Sequence, residues 1–162
     1  EMRYIADFMK SLLLLLFVPS ILSAAELKTT NNGIETSAIS YASPDGGSVT
    51  GLLFDPVTRS GPRPGIVLMH GMPGNARQMA AQARLLANYG AVVIAIDAPF
   101  ARRPGQPVRF TTQDRAEQVQ LIKDLQRAVD VLRARPDVDG ERIAYLGISR
   151  RREHRRAPSS PG

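Results

Sequence analysis

The sequence predicts an α/β fold in which an antiparallel hairpin leads into a mostly parallel sheet with helices on both faces. Three observations carry that expectation. Short apolar runs at Ile66–Met69, Ala91–Ile96 and Arg142–Gly147 have the length and composition of strands buried on both faces. Helical patterning fills the intervals between them, and strands alternating with helices build parallel sheets. Upstream, Pro44-Asp45-Gly46-Gly47 separates two β-prone stretches. Proline there presets φ and glycine supplies positive φ, as a tight turn requires.

The chain opens with a different kind of segment. Lys10 is followed by an apolar core, Leu12–Val18, and then by the small residues Ser23-Ala24-Ala25. That is the order of a secretory signal peptide, with cleavage expected after Ala25 or Ala24. Met9 is the more natural start, which makes residues 1–8 an upstream extension. A membrane anchor is the alternative, but the apolar run falls short of the ~20 residues that span a bilayer, and Pro19 interrupts it. The expected product is exported, periplasmic or secreted, with no stable membrane span after cleavage.

Glu35–Ser40 and Ser48–Phe54 are the two arms of the hairpin, and the proline-rich Asp55–Pro64 is read as a loop. Ile66–Met69 is expected as a buried parallel strand, followed by the glycine-rich turn His70-Gly71-Met72-Pro73-Gly74-Asn75. Ala76–Tyr89 lacks internal proline and glycine and is rich in alanine and leucine, so it is helical. Gly90 is its C-cap. Ala91–Ile96 is the next strand, closed by Asp97-Ala98-Pro99, and Ala101–Pro107 is a loop. Thr111 starts a helix, with Asp114 three residues on in a capping-box pattern. Val119, Ile122, Leu125, Val129 and Leu132 mark its expected core face, and the charged residues its solvated face. Pro136 ends it, and Asp137–Glu141 turns into the last strand.

That strand ends in Gly147-Ile148-Ser149. A serine on a sharp turn after a buried strand has its hydroxyl lifted clear of the sheet, and glycine leaves room for the turn. A plain loop serine is the other reading of the same residues. The stretch resembles the nucleophile elbow of the α/β-hydrolase family, Gly-x-Ser-x-Gly, with Arg151 where the second glycine belongs. The His70-Gly71-Met72-Pro73-Gly74 turn is similar to the oxyanion-hole loop after the third strand of that family. Its flavour is that of dienelactone-hydrolase-like and acetyl-ester-hydrolase members. The resemblance covers roughly Val49–Ser149 and implies the N-terminal half of an α/β-hydrolase fold, truncated at the elbow.

Carried over by position, the resemblance implies Ser149 as nucleophile and Gly147 as the elbow glycine. His70, Gly71 and Gly74 form the oxyanion loop, and the backbone N–H groups of Met72 and Arg150 are the oxyanion donors. The implied chemistry is hydrolysis of small-molecule carboxylic esters through an acyl-enzyme. In the family the triad acid and histidine follow the serine, and neither is found in this chain. His154 lies five residues after Ser149 inside an arginine run and cannot reach back as a base. His70 and Asp97 precede Ser149 and are out of order for the triad. Packing and hydrogen bonding are expected of His70, and turn stabilisation of Asp97. Arg102 and Arg103 are read as a solvated loop, with a cleft lining as the other option. A P-loop is excluded because no Lys-Ser/Thr follows Gly74, and Gly-x-Gly-x-x-Gly is absent. No cofactor or metal is implied.

Composition sets the remaining bounds. The 162 residues form one domain's worth of chain and contain no cysteine, which excludes disulfides and thiolate chemistry. The net charge of +6 is concentrated in residues 150–162, which hold five arginines and one glutamate. Residues 1–149 carry 16 basic and 14 acidic side chains, net +2, so the body of the chain gives no reason to expect nucleic acid. The expected division is 1–25 extension and signal, 26–149 partial α/β-hydrolase domain, and 150–162 a basic disordered tail. The tail is read as the product of a reading-frame slip or premature end after residue 149, leaving this chain without activity alone. The rival reading is a non-catalytic exported module whose tail binds anionic surfaces or nucleic acid in a salt-dependent way.

Overall fold

The computed structural model describes residues 28–58, 61–103 and 111–149. The segment expected to be a signal peptide, residues 104–110, Arg150, Arg151, His154 and the rest of the basic tail lie outside the described residues.

Six strands form one mixed sheet: β1 (Thr29–Asn31), β2 (Ile34–Ala42), β3 (Ser48–Pro56), β4 (Arg63–Met69), β5 (Val92–Ile96) and β6 (Val138–Gly147). Their spatial order is β1-β2-β3-β5-β4-β6. The hairpin pairs β2 with β3 antiparallel from Ile34–Pro56 to Ala42–Ser48, around the turn that Pro44–Gly47 encodes. β3 runs antiparallel to β5, whereas β5, β4 and β6 run parallel. Within the described residues the sheet is therefore parallel only in its last three strands. The three-residue β1 had no signal in the sequence, and β3 and β4 reach further into the Asp55–Pro64 stretch than its prolines suggest.

A 3-10 turn (Ala76–Met79) leads into α1 (Ala80–Asn88), α2 is the single turn Pro99–Arg102, and α3 runs from Thr112 to Arg133. Gly90 takes positive φ just past α1, as its C-terminal position requires. Thr111 and Asp114 close the full capping box of α3. Among the described residues no helix is long and apolar enough to cross a membrane.

The core has two layers because side chains alternate along each strand. Phe54, Leu68, Val93 and Ala95 pack with Met79, Ala83 and Ala87 on the α1 face. Val67, Val92, Ile94 and Ile96 pack with Ala128 and Leu132 on the α3 face. All of β5 is buried, as expected of a central strand.

Two expectations need correction. Leu125, Val129 and Leu132 of α3 pack in the core as expected, but Val119 and Ile122 are 51% and 59% exposed. The core stripe instead takes in Asp114, Leu121, Asp124 and Ala128, so two buried acids occupy core-facing positions that a hydrophobic count passes over. The last strand is also not buried on both faces. It pairs with β4 alone among the described residues, and Ala144–Gly147 are exposed. It begins four residues earlier than Arg142, at Val138, and the Asp137–Glu141 turn survives inside it as an irregularity in register opposite Arg63–Gly65.

At the base of the sheet, distant from the carboxyl ends of the parallel strands, four charges interlock. Buried Arg63 reaches Asp55 at 2.8 Å and Asp137 at 2.6 Å, and Arg135 reaches the same two carboxylates. The Arg135 hydrogen bonds, aided by Arg63, pull the Asp137 carboxyl down to about 2. This network pins the β3–β4 connection to the end of α3.

Candidate active site

Functional groups in α/β sheets gather beyond the carboxyl ends of the parallel strands, and the turn after β4 lies there. Gly74 donates its N–H to Gly71 O at 2.7 Å, and the Met72–Pro73 peptide is cis, so residues 71–74 form a tight turn with proline at its third position. A Cβ at Gly74 would lie 2.7 Å from Gly71 O, so only glycine fits. Asn75 then caps the 3-10 turn by accepting from Arg77 N–H.

His70 is buried and held from several sides. Ala98 N–H donates to its Nε2 at 3.1 Å, which leaves Nδ1 as the protonated nitrogen, 3.2 Å from Gly71 O. Its ring meets Phe100 edge to face at 5.4 Å. Burial holds its pKa below the ordinary histidine value, so the imidazole is neutral at pH 7. Both ring nitrogens are engaged with backbone, a packing and hydrogen-bonding environment of the kind expected. Asp97 ties three elements together: its carboxylate accepts from Ala76 N–H and from the Thr50 hydroxyl, each at 2.7 Å.

Ser149 is exposed two residues beyond β6. Ile148 N–H donates to Met69 O at 3.0 Å, extending the β4–β6 pairing to the edge of the serine. Gly147 does not take positive φ, and neither does Ser149. The turn expected at this point continues into Arg150, an expected oxyanion donor, and Arg151, both outside the described residues. A Cβ on Gly147 would lie 2.7 Å from the Tyr145 hydroxyl, the end of an exposed side chain that can move aside.

Ser149 and the His70 turn share one cleft of about 590 Å³, lined also by Phe100, Leu121, Tyr145 and Ile148. Its remaining wall is polar and comes from the first turns of α3: Asp114, Glu117 and Gln118. None of these three was singled out for the site from sequence. The signal available was the capping box, since residues three and four apart from Asp114 share its helix face.

The arginines before residue 104 are not a solvated loop. Arg102 pairs at 2.5 Å with Asp124, which is fully buried and also accepts from the Ser43 hydroxyl. Arg103 pairs with Asp114 at 2.7 Å and lies 3.4 Å from Glu117. Buried carboxylates demand partners, and the last residue of α2 and the residue after it supply both. Among the described residues no cluster of three or more His, Asp or Glu side chains could hold a metal ion.

This architecture, with a mixed sheet, helices on both faces and a glycine-rich turn after β4, is the α/β-hydrolase fold. Solved structures that match it include an acetyl xylan esterase from Paenibacillus sp. R4, 24% identical, with TM-score 0.61 over 75% of this chain and 44% of that one. Another is acetyl xylan esterase 1 from Thermoanaerobacterium sp. JW/SL YS485, 15% identical, with TM-score 0.60 over 78% and 45%. A dienelactone hydrolase-like promiscuous phosphotriesterase from metagenomic libraries is 28% identical, with TM-score 0.50 over 69% and 48%. The chain thus spans less than half the length of each of these structures. No family model matches the sequence, and no curated protein matches it.

Proposed function

We propose that this chain carries the nucleophile half of a serine ester hydrolase acting on small-molecule carboxylic esters. The observation that supports this reading is the shared cleft, in which Ser149 and the His70-Gly71-Met72 turn form one wall beyond the parallel strands. In the proposed reaction Ser149 Oγ attacks the ester carbonyl while a general base takes its proton. The N–H groups of Met72 and Arg150 stabilise the tetrahedral oxyanion. The alcohol then leaves with a proton, and water releases the acid from the acyl-serine.

A serine hydroxyl needs that base, and His70 is committed to Ala98 and Gly71. The proposed base and acid therefore lie outside residues 1–149, and this chain alone is expected to be inactive. The proposed division keeps 26–149 as the hydrolase part and 1–25 as an export signal. A fluorophosphonate ester probe, with the site of attachment read by mass spectrometry, tests the assignment. The 162-residue chain should show no attachment above that of Ser149→Ala. A longer protein that supplies acid and histidine should be modified at Ser149. Attachment to a different serine would overturn the reading.

A further inference from the structure

The sequence contains neither cysteine nor tryptophan, so the methionine thioethers are the side chains that a two-electron oxidant meets first. Of the five methionines, Met2 and Met9 lie outside the described residues. Met69 and Met79 are 5% and 3% exposed and sit in the two core layers. Met72 belongs to neither layer and is 49% exposed. The bond from Gly74 N–H to Gly71 O closes the turn around it, so Met72 is one of its two central residues. It lines the cleft that holds Ser149 and also a second cavity of about 290 Å³, which Gly74, Gln78 and Gln82 help to bound.

We infer that Met72 is an oxidation site through which hydrogen peroxide disables this cleft. The peroxide transfers one oxygen atom to Sδ: a sulfur–oxygen bond forms, the O–O bond breaks, sulfur loses two electrons and the peroxide leaves as water. A flexible apolar thioether thereby becomes a polar sulfoxide whose oxygen carries partial negative charge. That dipole sits on the residue whose N–H is the proposed oxyanion donor, where it opposes the charge that develops on the ester oxygen. The disabling effect rests on the reading of the cleft as the ester site. The oxidation does not, because exposure decides it.

Treatment of the full chain with dilute hydrogen peroxide, then digestion and fragmentation mass spectrometry that separates Met69 from Met72, tests the assignment. Met72 should take up oxygen about tenfold faster than Met69 or Met79, whose oxidation waits on opening of the core. In denaturant the three rates should converge. Equal rates without denaturant, or Met69 or Met79 reacting first, would overturn the inference. In the longer protein that supplies acid and histidine, peroxide should lower phosphonate attachment at Ser149 by about tenfold, less than the loss of an oxyanion donor costs. Methionine sulfoxide reductases should restore it, and attachment in Met72→Leu should be the same before and after peroxide. Unchanged attachment with Met72 oxidised overturns the disabling role. No attachment even before peroxide, with Met72 still oxidised first, sinks the hydrolase reading alone.

Discussion

Ala98 N–H donates to His70 Nε2 across 3.1 Å, joining the end of β5 to the turn after β4. The bond makes the imidazole an acceptor and removes it from service as a base. His70→Ala should leave the Ala98 N–H buried and unpaired and should cost about 1–3 kcal/mol in chemical denaturation. His70→Gln, whose side-chain oxygen can accept, should recover part of the loss. Because the folded pKa is depressed by burial, the unfolded chain takes up the proton first as pH falls. The His70 contribution is therefore complete above the ordinary histidine value, 6.5, and is lost as pH drops through the lower folded value. A melting temperature indifferent to pH in that window, or identical in His70→Ala, would contradict the placement.

The base of the sheet gives a separate pH signature. Asp137, held at about 2 by Arg135 first and Arg63 second, has a folded pKa below the ordinary aspartate value, 3.8. Its stabilisation is present above pH 4 and disappears as pH falls toward 2. Asp137→Asn should flatten that limb of the stability profile. Removing the buried cation with Arg63→Met leaves Asp55 and Asp137 to share Arg135 alone. It should cost less than the about 3–5 kcal/mol of a fully unpaired buried charge, as a denaturant titration would read.

The order of elements was legible in the sequence because each was written in local chemistry: the turn at Pro44–Gly47, the cap at Thr111–Asp114, the breaker at Pro136. What could not be read was long-range. Asp124 looks like a surface residue until Arg102 and Ser43, 22 and 81 positions away, are brought to it. Val119 and Ile122 fit a helical period but face away from the core, since two buried acids hold the positions a hydrophobic count ignores. At the site, the Gly-x-Ser and His-Gly signals marked one wall. The facing wall, Asp114 and Glu117, emerged only once α3 was folded back across the sheet.

Strand β6 carries a solubility consequence. Among the described residues its pairing is with β4 alone, and Tyr145 and Leu146 are exposed on it. A hydrophobic strand with an open edge templates pairing with other copies. The chain is expected to express poorly and to elute as large species in size-exclusion chromatography. Leu146→Lys, which puts charge beside the edge and lies outside the cleft lining, should shift it toward monomer. A wild-type chain that is monodisperse and melts cooperatively would sink this expectation.

The most direct measurement is to sequence the gene through the Ser149 and Arg150 codons and several hundred bases beyond. A frame that continues with small residues and glycine after Ser149, then an acid and a histidine further down, is the expected result. It would place Ser149 in a complete ester-hydrolase triad. A verified stop after Gly162, with no such frame downstream, would contradict the assignment of Ser149 as a catalytic nucleophile.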